Sequence, residues 1–110
     1  QSVAYYENVS SEMGGSTEVN DFFRLFMIPG QGHCWEIPSA VPDQFDPITA
    51  LENWVERGRA PEQLIASSRE PETAEVSATA VCPYPALPVY LSSAQDSADD
   101  SCVESSSCCK

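Results

Sequence analysis

Residues 22–34 read FFRLFMIPGQGHC, and this stretch decides how the rest of the chain is interpreted. It opens with an almost continuous apolar run over residues 22–28, breaks at a Pro-Gly pair, and ends on His33 and Cys34. A short apolar run without alternation, bounded by turn residues, is typical of a strand covered on both faces, as in a parallel sheet. Open α/β sheets bind their ligands beyond the carboxyl ends of such strands. We therefore predict an α/β fold in which His33 lies on a loop at the functional edge of the sheet.

A helix is predicted before this strand, over residues 3–13. Its apolar residues recur at helical spacing: Val3, Tyr6, Val9 and Met13. A Gly-Gly pair at 14–15 follows as a terminator, and residues 16–21 form a polar connector. Helix, short loop and buried strand make half of a βαβ unit whose first strand is missing. We therefore expect the chain to be the tail of a larger domain.

A second helix is predicted to begin at Asp46, an N-cap residue followed by proline, and to end at Gly58. Its apolar residues share one face, which we expect to pack against the sheet: Ile48, Leu51 and Val55. Beyond this helix, residues 64–66 are expected to form an edge strand and the polar residues 67–79 a loop. After residue 92 serine, aspartate and alanine predominate, a composition that cannot bury a core. Two regions follow, residues 1–91 and an irregular tail at 92–110.

The charge of the chain excludes two classes of partner. It has 17 acidic and 5 basic residues, a formal net charge of −12. Phosphate backbones and anionic lipid surfaces repel such a protein, so neither nucleic acid nor a membrane is expected as a partner. In addition, no apolar run approaches the ~20 residues that a membrane span requires.

The cysteine content predicts an extracellular location. Five cysteines in 110 residues indicate an oxidising compartment. The triplet at 8–10 matches the N-glycosylation acceptor, which makes Asn8 a candidate glycosylation site. Zinc is the competing explanation for cysteine beside histidine. However, neither the adjacent Cys108-Cys109 nor the His33-Cys34 pair has the spacing of a structural zinc site, so no metal is predicted.

An odd number of cysteines means that at least one is unpaired or bonds outside these residues. Cys82 and Cys102 can close a local loop of about twenty residues, worth ~3 kcal/mol in the chain-entropy model. The sequence does not assign a partner to Cys108 or Cys109.

Motifs on both sides of His33 occur together in one known family. The most specific are PGxGHC at 29–34 and WVExGxAP at 54–61. They are accompanied by AYYENV at 4–9, FD at 45–46, ALEN at 50–53, LIA at 64–66, CPYP at 82–85 and CV at 102–103. In this combination the chain resembles the tannase and feruloyl esterase family of secreted carboxylic ester hydrolases.

The resemblance implies that residues 1–91 are the C-terminal segment of an α/β-hydrolase domain with a Ser-His-Asp triad. His33 falls on the catalytic histidine, which would serve as base and then acid in cleaving galloyl or feruloyl esters. Cys34 falls on a cysteine that bonds to one beside the catalytic serine, outside this chain. Cys82 and Cys102 fall on the C-terminal disulfide of the family.

The same resemblance shows what this chain lacks. It holds neither the nucleophilic serine nor the triad aspartate, so the chain alone is expected to be inactive. Its expected partners are the remaining N-terminal part of the hydrolase and an aromatic ester substrate. The lid that carries the calcium site of the family is also absent, so no cofactor is expected.

Three other interpretations remain at this point. The missing serine, aspartate and lid suit a non-catalytic truncated remnant, or a binding module on a hydrolase-like scaffold. A self-contained site using Cys34 or Ser39 is disfavoured, because adjacent side chains point apart and Ser39 lacks an oxyanion-hole signature. A small disulfide-rich secreted protein would instead bond Cys34 to Cys108 or Cys109.

Overall fold

The computed structural model describes residues 1–32, 41–69, 76–88 and 109–110. Its elements, in chain order, are α1 (Ser2–Glu12), α2 (Ser16–Val19), α3 (Pro47–Arg57), β1 (Leu64–Arg69) and β2 (Val76–Val81). The strands β1 and β2 form a two-stranded antiparallel sheet. The described chain is therefore a mixture of helices and a small sheet, in agreement with the predicted α/β class. None of the described helices has the length and apolarity needed to cross a membrane.

The predicted first helix is confirmed as α1, which buries Tyr6. Gly14 and Gly15 follow it with positive φ angles of 97° and 125°. Residues with a Cβ atom rarely adopt such angles, whereas glycine does so readily. The connector that the sequence predicts after this pair contains one short helical turn, α2, which buries Val19.

The prediction of a buried strand at residues 22–28 is wrong for the described structure. The segment contains an isolated antiparallel bridge, Phe26 to Pro83, and no strand. Phe22 and Met27 are about half exposed, at 55% and 49%. Proline has no N–H to donate, so Pro83 cannot extend the bridge into a ladder. The apolar run therefore lacks the covered faces that the sequence pattern predicts.

The ends of α3 are those that the sequence predicts. Asp46 is its N-cap and accepts a hydrogen bond from Thr49 N at 2.9 Å, with Pro47 in the first turn. At the other end Gly58 adopts the left-handed conformation with φ 65°. There Gly58 N and Arg59 N donate to the carbonyls of Trp54 and Asn53, the pattern of a Schellman cap.

The predicted packing of α3 against a sheet is wrong. Ile48, Leu51 and Val55 are 63%, 55% and 76% exposed. The helix contacts the rest of the chain through another side, where Trp54 lies beneath the guanidinium of Arg24 at 5.6 Å. The described sheet has only two strands, and it does not cover the apolar face of this helix.

The sheet formed between residues 64 and 81 is larger than the sequence predicts. The expected edge strand at 64–66 extends to Arg69, and residues 76–79 of the expected loop at 67–79 belong to β2. Threonine and valine are among the residues that favour strands. The side chains of the paired residues Ser68 and Ser77 are joined by a 2.8 Å hydrogen bond between their hydroxyls, which satisfies Ser68 in its buried position.

The predicted pairing of Cys82 with Cys102 is contradicted, because Cys82 is bonded to Cys109. Two backbone hydrogen bonds, Leu87 N to Lys110 O at 2.9 Å and Lys110 N to Leu87 O at 3.1 Å, hold the two segments together. These bonds place Cys109 beside the segment that follows Cys82. Cys102 and Cys108 lie outside the described residues, as does most of the predicted tail at 92–110.

Candidate functional site

The candidate site is the loop that the sequence predicts around His33 and Cys34. Residues 33–40 lie outside the described residues, so the structure describes the two flanks of this loop. The N-terminal flank is the segment 25–32 and the C-terminal flank is the segment 41–46. Their geometry gives the course of the backbone up to residue 32 and from residue 41 onward.

A turn shapes the N-terminal flank just before His33. Gly30 has φ 77°, and Gln31 N donates to Ile28 O at 3.4 Å across the turn. Proline at the second position and a left-handed glycine at the third are the signature of a type II turn. Upstream of it, Tyr84 N donates to Leu25 O at 2.7 Å and fixes the flank to the CPYP segment.

The C-terminal flank returns to the same region. A Cβ atom placed on Gly30 would lie 3.4 Å from Val41 Cγ2, so the two flanks meet at this glycine. The C-terminal flank is then tied to β1, because Gln44 and Ser67 exchange backbone hydrogen bonds of 3.1 and 2.8 Å. The backbone is therefore held on both sides of residues 33–40, by the Leu25–Tyr84 bond before them and the Gln44–Ser67 pair after them, and the two flanks meet at Gly30 and Val41.

An aromatic cluster adjoins the N-terminal flank through Tyr84, whose N–H is bonded to Leu25 O. Tyr6, only 1% exposed, packs against Phe23 and Tyr84 with ring centroids 5.4 and 5.8 Å away. Its hydroxyl donates to Asn20 Oδ1 at 2.8 Å, so its polar atom is satisfied in the buried position. Tyr84 in turn donates to Glu7 Oε1 at 2.8 Å, and this interaction with the carboxylate raises the pKa of Tyr84.

Arg24 connects the flank to α3 and is a residue that the sequence interpretation missed. Its guanidinium donates to Asn20 O at 3.0 Å and to Pro61 O at 2.6 Å while lying over the ring of Trp54. The available signal was a single cation inside an apolar run, because a charge in such a place requires partners. Tyr6 and Glu7 belong to the AYYENV motif, but their contacts with Asn20 and Tyr84 are not visible in the sequence.

A cleft with a volume of about 320 Å³ adjoins both flanks. Met27 and Pro29 line it from the N-terminal flank, and Pro42 lines it from the C-terminal flank. Val81 and Leu87 contribute to the opposite wall, which makes the surface predominantly apolar. Its volume is at the lower end of that of small-molecule sites.

The remaining predicted site residues are placed as follows. Asn8 is exposed on α1, which leaves its side chain accessible, as the predicted glycosylation requires. Cys82 is 6% exposed and lines the cleft. Within the ranges that the structure describes, no group of three or more acidic, cysteine or histidine side chains could hold a metal ion.

The cap of α3 makes the C-terminal flank sensitive to acid. The hydrogen bond from Thr49 N holds the pKa of Asp46 below its ordinary value. Its native pKa is depressed, so the cap stabilises the fold above the pKa of the unfolded state. That stabilisation is lost as the pH falls through the native pKa.

We expect Asp46→Ala to lower the thermal unfolding temperature at neutral pH and to leave it unchanged below the native pKa of Asp46. Asp46→Asn is the matched control, because asparagine is an equally good N-cap but does not titrate. It should match the parent at neutral pH and lose less stability on acidification. Melting curves of the three proteins from pH 7 to pH 2 measure the effect, and the same loss of stability with pH in the parent and in the Asp46→Asn protein would contradict it.

Comparison with known proteins covers nearly the whole chain. The family described as tannase and feruloyl esterase matches residues 1–107. The mono(2-hydroxyethyl) terephthalate hydrolase of Piscinibacter sakaiensis is 42% identical over 91 residues, which are 81% of this chain and 14% of that protein. A protein described as a probable feruloyl esterase of Arthroderma benhamiae is 34% identical over 99 residues, which are 89% of this chain and 18% of that protein.

A third relative has no assigned substrate. It is an uncharacterised esterase of Xanthomonas campestris, 31% identical over 132 aligned positions, with 94% of this chain and 23% of that protein covered. The chain thus spans less than a quarter of the length of each of these three relatives. Because the family match runs through the motifs at both flanks of the His33 loop, this chain belongs to the tannase and feruloyl esterase family.

Proposed function

We propose that this chain is the C-terminal, histidine-bearing part of a secreted carboxylic ester hydrolase that cleaves esters of aromatic acids on an α/β-hydrolase core. The observation that carries the proposal is the family match over residues 1–107, a range that contains the PGQGHC segment and its histidine, His33. The serine and aspartate of the triad would be supplied by residues preceding this chain in its own polypeptide. We refer to the chain together with those residues as the extended protein.

His33 would act first as a base and then as an acid. As the serine oxygen attacks the ester carbonyl carbon, the imidazole takes the hydroxyl proton. It then gives that proton to the oxygen of the departing alcohol as the ester C–O bond breaks, which leaves an acyl-serine. Water attacks the acyl group with His33 again as base, and the proton returns to the serine as the carboxylic acid leaves.

The flanks of the loop support this role. The turn at Pro29-Gly30 and the approach of Val41 to Gly30 restrain the backbone on both sides of His33. A disulfide from Cys34 to a cysteine near the nucleophile would restrain the loop further. Restraint of this kind matters because a base must lie within hydrogen-bonding reach of the proton that it removes.

The proposed substrate class, esters of aromatic acids, is supported by what the names of the relatives have in common. One is named for an ester of terephthalic acid and another for feruloyl esters, and each of these acids contains an aromatic ring. Secretion is supported by the disulfide between Cys82 and Cys109, which requires an oxidising compartment, and by the exposed Asn8 acceptor.

The proposal is tested by the activity of the extended protein. We expect hydrolysis of methyl ferulate or methyl gallate with a kcat/KM at least about tenfold above that for methyl butyrate, because binding of the aromatic ring favours the former. The 110-residue chain alone should hydrolyse none of them. An upstream sequence without a nucleophilic serine, or an extended protein that cleaves none of these esters, would reject the proposal.

A further inference from the structure

Arg24 directly precedes the N-terminal flank of the His33 loop, and its guanidinium contacts three other parts of the chain. Its Nε donates to Asn20 O at 3.0 Å, and its Nη1 donates to Pro61 O at 2.6 Å. Its Cζ lies 5.6 Å from the centroid of the Trp54 ring. One side chain thus joins the beginning of the flank to the end of α2, to α3 and to the segment that leads into β1.

These contacts use the planar shape of the guanidinium as well as its charge. N–H groups on two different nitrogens reach two separate carbonyl oxygens, while the group lies over an indole, the aromatic ring that attracts cations most strongly. The ammonium of lysine is a compact charge on a flexible stem, without a plane that stacks on a ring. The substitution Arg24→Lys therefore keeps the charge and loses the arrangement of the contacts.

The contacts of Arg24 act on the backbone that leads to His33. The carbonyl oxygen of the next residue, Leu25, accepts a hydrogen bond from Tyr84 N at 2.7 Å. Two consecutive residues are thus held, one through its side chain and the other through its backbone. Only the segment 26–32 separates this fixed point from the histidine.

The same side chain also reaches the element that follows the loop. The C-terminal flank ends at Asp46, the N-cap of α3, so the helix fixes where that flank ends. Trp54 belongs to the same helix and lies beneath Arg24. The two flanks are therefore joined twice, where Val41 approaches Gly30 and again through Arg24 and α3.

We propose that Arg24 is a positioning residue for His33, because it fixes the two flanks relative to each other at the ends remote from the histidine. The inference rests on the proposed function, in which His33 is the base. A base must lie within roughly 2.6–3.2 Å of the group whose proton it removes, and a displacement of about 1 Å costs on the order of 100-fold in rate. Substitution of Arg24 should therefore slow proton transfer and leave substrate binding unchanged.

The test is the steady-state kinetics of variants of the extended protein with methyl ferulate or methyl gallate. We expect Arg24→Lys to lower kcat by about 10- to 100-fold and to leave KM within about threefold of the parent. Arg57→Lys is the matched control, because Arg57 donates to Asn53 Oδ1 within α3 and does not contact the flank. The same chemical change at that position should leave kcat within about twofold of the parent.

Trp54→Leu tests the contact from its other side and replaces the Arg24 variants if they do not accumulate. It removes the ring and leaves both carbonyl acceptors, so we expect a smaller loss of kcat, about three- to tenfold. Combined with Arg24→Lys, it should reduce kcat by less than the product of the two single effects, because the two substitutions remove a shared contact.

The pH profile separates positioning from an effect of charge, and the temperature of the assay separates it from a loss of stability. If Arg24 acted on the imidazole through its charge, Arg24→Lys would keep the parent kcat. Arg24→Met would then raise the midpoint of the acidic limb of kcat/KM. Positioning predicts that both variants lose kcat and that neither moves this midpoint. Assays well below the Tm of each variant ensure that the loss does not come from unfolded protein.

Three results would overturn the inference. They are an Arg24→Lys protein with the kcat of the Arg57→Lys control, a parent kcat in Trp54→Leu, and a kcat that returns to the parent value when the variant is assayed fully folded. Failure of the proposed function looks different, since the parent itself would then hydrolyse neither ester. In that case the inference falls with it, whereas a failure of the inference alone leaves the parent active.

Discussion

Replacement of His33 by alanine is expected to reduce kcat of the extended protein for an aromatic ester by about 10⁴–10⁶-fold. A serine hydroxyl is a weak nucleophile until a base removes its proton, and the proposed function gives that task to His33, the single histidine of the chain. The residual rate would come from substrate binding and from stabilisation of the oxyanion, which do not need the imidazole. KM should change by less than about threefold, because the imidazole acts on the transition state more than on the bound ester.

The control is Gln31→Ala, in the N-terminal flank two residues before His33 and exposed in the structure. It should retain most of the activity, whereas a general sensitivity of the loop to substitution would reduce both variants alike. Steady-state rates should be accompanied by thermal melting curves, since His33→Ala should leave Tm unchanged. The parent should also lose activity at acidic pH as an imidazole takes up a proton. A His33→Ala protein within about tenfold of the parent kcat would exclude a catalytic role.

The features that the sequence predicts correctly are those that depend on local hydrogen bonds. Asp46 and Gly58 mark the ends of α3 because a carboxylate can bond the free N–H groups of the first turn and glycine can adopt a left-handed φ. The Pro-Gly pair before His33 likewise predicts a turn, and Gly30 has the φ that this requires. None of these features depends on what covers the surface.

The features that the sequence predicts wrongly depend on contacts with residues that are distant in the sequence. The apolar pattern of Ile48, Leu51 and Val55 predicts burial, but a pattern does not show whether the covering surface lies within the same 110 residues. The apolar run at 22–28 fails for the same reason. Its neighbour in the described structure is Pro83, which cannot continue a ladder.

The predictions for the candidate site divide in the same way, into local features and contacts between distant segments. The motif alone makes His33 the candidate catalytic residue, which stays a prediction, and the turn before it is local. The approach of Val41 to Gly30 and the backbone pair Gln44–Ser67 are contacts between separate segments, and no spacing in the sequence predicts them. Arg24 is intermediate, since its position in an apolar run signals a requirement for partners without saying that Pro61 and Trp54 supply them.

Removal of the disulfide between Cys82 and Cys109 is expected to lower the free energy of unfolding by about 3.5 kcal/mol. The bond closes a loop with a sequence separation of 27 residues, and the chain-entropy model gives roughly this value for such a loop. Substitution of Cys82 should also cost packing energy, because its side chain is only 6% exposed and lines the apolar cleft. Reduction would also leave the Leu87–Lys110 backbone pair as the remaining described link between the C-terminus and the cleft wall.

Three cysteine variants separate the observed pairing from the one that the family resemblance implies. Cys109→Ser breaks the bond at its more exposed end. The Cys82→Ser, Cys109→Ser double variant should be only slightly less stable than Cys109→Ser, because the two substitutions remove the same bond. Cys102→Ser should leave the unfolding midpoint in urea unchanged. If Cys102→Ser is instead the destabilising variant and Cys109→Ser is silent, Cys82 pairs with Cys102 and the observed pairing is wrong. Peptide mapping without reductant checks the same point, since a peptide joining Cys82 to Cys109 is expected only if the C-terminal residues close onto the cleft wall.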